Sequence, residues 1–299
     1  MKFDLKDIPC PICGTDDFSI VGYRGGDAHH AGLGERTRIV RCRSCTHQYP
    51  NPMPYPVGDL DELYGNPTDY FSNHDLQKKK LAGLAMVKTL ETKTGLKGKL
   101  LDIGSGRGEL LWAASELGWE AIGIEPSRQF VEFGREHLNV DVDLGSIQEG
   151  DFADDSFDAV VMNGLIEHLY DPISLLIEVR RILRPDGWLY FDAPNEDGLY
   201  MSLGNAYMRL LGRDWVVVLA PTFSPFHVQG FNERSLRSAL KGSGLLMQSL
   251  SIYGQVFQQQ GISSFRKRVE FAGSRIVNAI GNWTGRGSYM TVWARKQEA

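Results

Sequence analysis

Cysteine is scarce in this chain and confined to one end: there are four, and none lies beyond residue 45. A disulfide framework spread through the fold is thereby excluded. Long apolar runs are missing too. The longest are about six residues, as in 215–220, against the roughly 20 needed to span a bilayer. The N-terminus, Met-Lys-Phe-Asp-Leu-Lys-Asp, has no apolar signal core. The cytoplasm is the expected compartment, with no membrane partner. Positive charge is not in excess. Lys plus Arg total 32 against 37 Asp plus Glu, a net charge of −5, which disfavours nucleic acid as a partner. Internal repeats and low-complexity tracts are also lacking. What remains is a 299-residue chain with 42% hydrophobic content, enough for one large core and a small appendage.

Residues 99–108, Lys-Leu-Leu-Asp-Ile-Gly-Ser-Gly-Arg-Gly, read as an apolar strand running into a glycine turn. A second strand, Ala121-Ile122-Gly123-Ile124, ends in Glu125. A strand that opens onto glycine-rich backbone lets a ligand approach N–H groups at a helix start. An acid at the tip of the next strand suits the two hydroxyls of a ribose. Gly104, Gly106 and Gly108 are spaced G-x-G-x-G, not the G-x-G-x-x-G of dinucleotide sites. The plain alternative is a tight turn in which glycine only supplies positive φ.

Cys10, Cys13, Cys42 and Cys45 form two Cys-x-x-Cys pairs. Four thiolates at this spacing suit a structural, tetrahedral Zn2+ with no open position for catalysis. Four free thiols or a redox pair are the alternatives. The first knuckle carries Gly14, whereas the second has Thr46 where glycine is usual. The segment 25–32 reads as a flexible hairpin tip that leaves His29 and His30 in solvent. A module of this size cannot bury enough surface alone, so the metal would supply folding energy.

From residue 99 onward strand and helix patterns alternate, which predicts a parallel sheet with helices on both faces. Strands are expected at 99–104, 119–125, 140–144, 157–163, 187–193, 246–253 and 288–296. Helices fall near 108–117, 127–138, 172–184 and 232–243. Upstream, 58–95 reads as helical, with Leu60, Leu63, Tyr64, Leu81, Leu84, Val87 and Leu90 at helical spacing. Asp171-Pro172 and Asn232 mark helix starts.

The stretch Leu-Asp-Ile-Gly-Ser-Gly-Arg-Gly (101–108) resembles the first motif of the class I S-adenosylmethionine-dependent methyltransferases. Glu167-His168-Leu-Tyr-Asp171-Pro172 resembles the Glu-His-x-x-Asp-Pro stretch of their small-molecule members. Leu183-Arg-Pro-Asp-Gly-Trp-Leu-Tyr-Phe191 resembles their fifth-strand signature. The resemblance covers roughly 60–296. It implies an α/β fold: a seven-stranded, Rossmann-like doubly wound sheet whose last strand enters antiparallel. To this a small N-terminal zinc-binding module is added. The expected division is 1–56 for that module and 57–299 for the methyltransferase domain. The latter carries an aromatic, irregular cap insertion at 196–231 and a helical insertion at 254–287. In that second insertion Ile262, Phe265, Val269, Ala272, Ile276 and Ile280 form an apolar face expected to pack on the sheet.

The resemblance also implies site residues. Gly104, Gly106 and Gly108 would hold the methionine part of S-adenosyl-L-methionine, with Asp102 organising the turn and the ammonium. Glu125 would hold the ribose. Ser146 and Ile147 would flank the adenine, with Pro126 covering its other face. Asn163 would meet the cofactor at a strand end, and Tyr70 would lid the methionine end. Glu167 and His168 would lie near the methyl group.

Methyl transfer from a sulfonium is an in-line displacement in which the protein aligns the reactants. A base is needed only where the acceptor keeps its proton. His168 and His227 are the candidates, because imidazole titrates near neutrality, and Glu167 would orient the acceptor. For His168, bracing the strand-four loop is an equal alternative. The expected reaction is methylation of a small-molecule acceptor at oxygen. A C-methyltransferase acting on a sugar or other natural-product intermediate is an alternative, though the extra C-terminal domain expected there is lacking. An RNA methyltransferase is disfavoured, since strand four ends in Asn-Gly-Leu-Ile-Glu-His rather than a Pro-Pro-aromatic motif. A nicotinamide oxidoreductase is disfavoured by the glycine spacing, and a non-catalytic scaffold by the intact motifs. Oligomeric state is not legible.

Overall fold

The computed structural model describes residues 2–58, 75–217, 219–254 and 265–297. The readings that rest on Leu60, Leu63, Tyr64, Tyr70 and Ile262 lie outside these residues.

The chain opens with β1 (Lys2–Lys6), β2 (Phe18–Arg24), β3 (Thr37–Cys42), β4 (Gln48–Pro50) and β5 (Met53–Val57). β2, β3 and β4 make an antiparallel sheet, and β1 pairs with β5. The hairpin tip between β2 and β3 is not free, contrary to the sequence reading. Ala28 and His29 are buried there. The His29 ring lies 4.9 Å from that of Phe223, and its Nδ1 accepts from the Ala31 N–H at 3.2 Å. The Glu35 N–H donates to Thr222 Oγ1 at 2.9 Å, and that hydroxyl donates to the Glu35 carbonyl at 3.0 Å. The tip is therefore docked on the segment around 222.

α1 (Leu76–Thr94) starts where the Asp75 carboxylate accepts from the N–H groups of Gln77 and Lys78, and ends at Gly95 with φ +67°. Its buried side is Val87 and Leu90, whereas Leu81 is exposed. Then follow β6 (Lys99–Ile103), α2 (Glu109–Glu116), β7 (Glu120–Glu125), α3 (Arg128–Phe133) with a π turn at Gly134–Leu138, and β8 (Asp141–Leu144). β9 (Phe157–Met162) leads through a 3-10 turn (Ile166–His168) to α4 (Pro172–Ile182) and β10 (Leu183–Pro194). The chain closes with α5 (Leu199–Leu210), α6 (Glu233–Gly242), β11 (Leu245–Tyr253), α7 (Phe265–Trp283) and β12 (Tyr289–Lys296). The caps foreseen for α4 and α6 form. Asp171 accepts from the Ser174 N–H, with Pro172 in the first turn, and Asn232 makes a reciprocal capping box with Ser235.

The main sheet has the order β11-β12-β10-β9-β6-β7-β8. β6 to β10 run parallel, and β12 is antiparallel to both of its neighbours. This is the seven-stranded doubly wound sheet with an antiparallel last strand that the sequence led us to expect. Central strands buried on both faces need continuous apolar runs. β6 shows this, with residues 100–103 all buried. One face packs against α1, α2 and α3 through Val87, Leu90, Leu111, Val131 and Trp293. The other packs against α4 and α6, and its core is continuous with the N-terminal segment: Cys10, Val40, Tyr49 and Met53 share one cluster with Phe231, Leu236 and Leu240.

Two expectations fail in the insertions. The segment 196–231 is not irregular throughout, since it contains α5, none of whose residues is buried. In α7, Ile276 and Ile280 face solvent instead of the sheet. Asn278 and Gly281 are buried there. A Cβ at Gly281 would meet the Arg286 carbonyl at 2.7 Å, and the Ser288 hydroxyl donates to Asn278 Oδ1 at 3.3 Å. Close backbone approach and a polar anchor fix the rotation of this helix, against its apolar periodicity.

Candidate active site

The C-terminal ends of β6, β7, β9 and β10 meet at one edge of the sheet, the position where open α/β sheets place ligands. At this edge Gly104, Gly106 and Gly108 all take positive φ, +71°, +55° and +86°. Their surroundings differ. A Cβ at Gly104 would lie 3.2 Å from Leu165, and one at Gly108 would lie 2.7 Å from Val140. Nothing stands within 4 Å of a Cβ at Gly106. Gly108 is thus required by packing and Gly104 is crowded by Leu165, while Gly106 faces open space.

Glu125 closes β7 beside this turn. Its Oε2 accepts from the Gly106 N–H at 2.9 Å and its Oε1 from the Ser127 N–H at 3.0 Å. Burial raises its pKa, and the two backbone donors oppose that shift. A carboxylate has about four acceptor sites, so two stay open for a diol. The sequence reading gave the organisation of the turn to Asp102, but the group that grips its backbone is Glu125. Asp102 lies within β6, 3% exposed, and its carboxyl is pushed up to about 8 by burial and by the nearby Glu125 and Glu109.

A buried ion pair beside the turn escaped sequence reasoning. Arg107 Nη2 lies 2.6 Å from Glu109 Oε1. The two residues are two apart, a spacing that carries no helix-face signal.

Ser146 and Ile147 lie after β8. The Ser146 N–H and hydroxyl both donate to Glu149 Oε2, at 2.8 and 2.9 Å. Ile147 is buried in the main core cluster, so it does not present an open apolar face. Pro126 and Asn163 are exposed at the edge, next to Glu125 and at the end of β9 respectively. Tyr70 lies outside the described residues.

The other end of the edge is polar and buried. The 3-10 turn after β9 carries Glu167 and His168, and the loop before α6 brings in His227. The two imidazole rings meet edge to face, with centroids 4.7 Å apart. One ligand atom from each of Glu167, His168 and His227 falls within 4.8 Å of the others. Burial pushes the Glu167 carboxyl up to about 8, helped by the charge of Asp192. Burial followed by repulsion from His168 pushes His227 down to about 3. Burial also lowers His168, against the backbone of Phe226 and Pro225. Near pH 7, then, the cluster holds two neutral imidazoles and a largely protonated carboxyl. Glu167 Oε2 and His168 Nδ1 have no hydrogen-bond partner among the described residues. Buried polar atoms in that state are costly and suit a ligand. Such a set could take a proton from an acceptor or hold a cation.

Asp192 and three tyrosines complete this end and were not singled out from sequence. Asp192 Oδ1 accepts from the Gly164 N–H at 2.6 Å. Tyr289 is pushed up to about 12 by burial, then by Glu167, Asp192 and Tyr253. Tyr190 is raised likewise by burial and by Asp192. Tyr289 and Tyr253 face each other across the β11–β12 pairing, a juxtaposition that no local motif encodes.

The four cysteines come together within the N-terminal segment. The Sγ atoms of Cys10 and Cys45 are 3.5 Å apart, as are those of Cys13 and Cys42. Zinc–thiolate bonds of about 2.3 Å imply tetrahedral edges of roughly 3.8 Å. The set therefore fits that ion, and all four are free thiols. The two knuckles match. The Gly14 N–H donates to the Cys10 carbonyl at 2.9 Å and the Thr46 N–H to the Cys42 carbonyl at 3.0 Å. Thr46 adopts the left-handed φ of +66° that Gly14 also takes at +72°. For a non-glycine residue this costs roughly 1–2 kcal/mol. Asn232, the cap of α6, holds it by donating to the Thr46 carbonyl at 3.1 Å.

A parallel doubly wound sheet, a glycine turn and an acid closing the second strand define an enzyme of the nucleoside-binding α/β class. Comparison with known proteins narrows this. A family model described as a methyltransferase domain matches residues 73–250. The chain belongs to that family and is an S-adenosylmethionine-dependent methyltransferase. It is similar to a ubiquinone biosynthesis O-methyltransferase of Thiobacillus denitrificans, 26% identical over 172 residues, 55% of this chain and 72% of the relative. A protein of the same description from Alkalilimnicola ehrlichii is 31% identical over 142 residues, 43% of this chain and 58% of the relative. Three further curated relatives are matched over 38–55% of their own length. The fold is shared with a methyltransferase structure from Archaeoglobus fulgidus: TM-score 0.50, 19% identity, 79% of this chain and 98% of the other. No helix among the described residues is long and apolar enough to cross a membrane.

Proposed function

We propose that this chain transfers a methyl group from S-adenosylmethionine to a hydroxyl of a small-molecule acceptor. When bound, the cofactor supplies an electrophilic methyl group on sulfur. Gly106 leaves room for it, and Glu125 accepts from the ribose hydroxyls through its open lone pairs. Asp102 and Gly104 sit under the methionine end, and Gly108 lets α2 begin close against Val140. Ser146 and Pro126 border the base, Ile147 backs that wall from within the core, and Asn163 borders the methionine end. The acceptor lies between Glu167, His168 and His227. One neutral imidazole takes its proton, and the protonated Glu167 donates a hydrogen bond that orients it. The single observation that carries this reading is the meeting of those three side chains at the sheet edge that also carries the glycine turn. The names of the ubiquinone-pathway relatives support oxygen as the methylated atom. The cysteine cluster holds one structural Zn2+.

Two measurements test the reading. Titration calorimetry should give heat with S-adenosylmethionine and S-adenosylhomocysteine and none with NAD; heat with NAD alone ends it. Transfer of a deuterated methyl group should then be followed over phenols, catechols and nucleotide sugars. A methyl–oxygen product is expected, and a methyl–carbon product would move the assignment to the C-methylating alternative.

A further inference from the structure

The N-terminal ribbon meets the core along a buried seam that touches the histidine end of the site. The Gln48 N–H donates to the Gly230 carbonyl at 2.9 Å, and the Gly230 N–H returns a bond to the Gln48 carbonyl at 2.7 Å. Beside this bridge His47 Nε2 lies 2.7 Å from Gln229 Oε1. Gln229 Nε2 donates to the Leu169 carbonyl at 2.7 Å. A carbonyl only accepts, so the amide nitrogen faces Leu169 and the amide oxygen faces the imidazole, which must donate. The backbone N–H groups of Val228 and Gln229 both donate to the Glu167 carbonyl, each at 2.9 Å. Gln229 thus joins three pieces of chain: the ribbon, the turn bearing Glu167 and His168, and the loop bearing His227. His47 is in turn part of the second cysteine knuckle, for its carbonyl accepts from the Cys42 N–H at 2.9 Å.

We propose that His47 and Gln229 are positioning residues that hold the Glu167–His168 turn and the His227 loop at their working separation. Through them the geometry of the reacting end depends on the cysteine knuckle. This rests on the reading of Glu167, His168 and His227 as the reacting end. Both side chains are buried, His47 fully and Gln229 to within 1%. A buried amide facing a buried imidazole is costly unless both are bonded. Their bonds are directional, so they fix distance and angle where an apolar pair of equal volume would only fill space. Neither residue has a hydrogen bond to the glycine turn, so the cofactor end should be insulated from their loss.

The test uses the full, zinc-loaded chain labelled with 15N-histidine, whose seven imidazoles are read by long-range proton–nitrogen spectra. Gln229→Leu should shift the ring signals of His168 and His227 and leave His137, stacked on Phe133, in place. Its affinity for S-adenosylhomocysteine should stay within twofold of wild type, with one zinc per chain retained. His47→Leu should reproduce the shifts, and His47→Gln, which restores a donor, should reverse most of them. If Gln229→Leu does not fold, the His47 pair carries the test alone. Unmoved His168 and His227 rings in a folded variant overturn the proposal. So does loss of cofactor-analogue affinity in parallel with the ring shifts, which would mark general loosening. Failure of the underlying reading is separate: Glu167→Gln, His168→Ala and His227→Ala would then leave methyl transfer unchanged, whatever the rings do in Gln229→Leu.

Discussion

At the glycine-turn end of the crevice, the hydrogen bond from Gly106 to Glu125 spans 19 positions of chain. At the histidine end, the bond from Gln229 to Leu169 spans 60 positions, and that between His47 and Gln229 spans 182. The first end is built within one strand–helix–strand unit and stands or falls with local backbone geometry. The second is assembled from three distant segments, one of them outside the main sheet. Damage to the ribbon should therefore reach one end and spare the other.

The largest expected effect comes from the metal. Elemental analysis should find one zinc per chain, and Cys45→Ser should lose it. Structural zinc contributes on the order of 10 kcal/mol to small modules, so this variant should melt at least 10 °C lower. Finding no zinc in wild type would remove the ribbon from the comparison. Next come the imidazoles. His168→Ala or His227→Ala should lower turnover by about 10²–10⁴-fold, the usual worth of a positioned base, while calorimetry with S-adenosylhomocysteine stays unchanged. Affinity lost along with turnover would show that the two ends are not separate. Gly106→Val should weaken the cofactor by about 100-fold, because its side chain would occupy the open space and its φ costs roughly 1–2 kcal/mol. Unchanged binding in that variant would contradict the site.

The smallest effects are electrostatic. His227 is lowered to about 3 in the fold from an ordinary 6.5. Between those values the unfolded chain holds a proton that the folded chain refuses, so stability falls as pH falls. Glu167 is raised from 4.5 to about 8. Over that window the folded chain keeps a proton that the unfolded chain releases, so stability falls as pH rises. Each group contributes a slope of about 1.4 kcal/mol per pH unit. In urea titrations, His227→Asn should therefore lose less than wild type between pH 6 and 4.5. Glu167→Gln should gain on wild type between pH 6 and 8. Parallel curves would mean the cluster is hydrated rather than buried.

This contrast also explains what the sequence disclosed. The parallel strands followed from alternating patterns, the antiparallel last strand from the family resemblance, and the glycine turn and Glu125 from a short motif whose members touch. The caps at Asp171 and Asn232 were legible because capping is local. Arg107 and Glu109 were not, because their pairing follows no helical spacing. Nor were Tyr190, Asp192, Tyr253 and Tyr289, which meet only because β12 slides between β10 and β11. His29 looked like a loop residue, since nothing near it in sequence names Phe223 as its cover. The rotation of α7 was misjudged because Asn278 and Gly281 anchor it through polar and steric contacts that apolar periodicity does not register.

β12, the last strand in sequence, lies inside the sheet, zipped to β10 on one side and β11 on the other. A nascent chain on the ribosome can form β6 to β10 while this slot is still empty. Tyr289 enters with the strand, so the wall it forms against Tyr253 is completed only once Tyr289 has been made. A polypeptide interrupted before residue 289 would keep its glycine turn but leave β10 and β11 with unpaired edges.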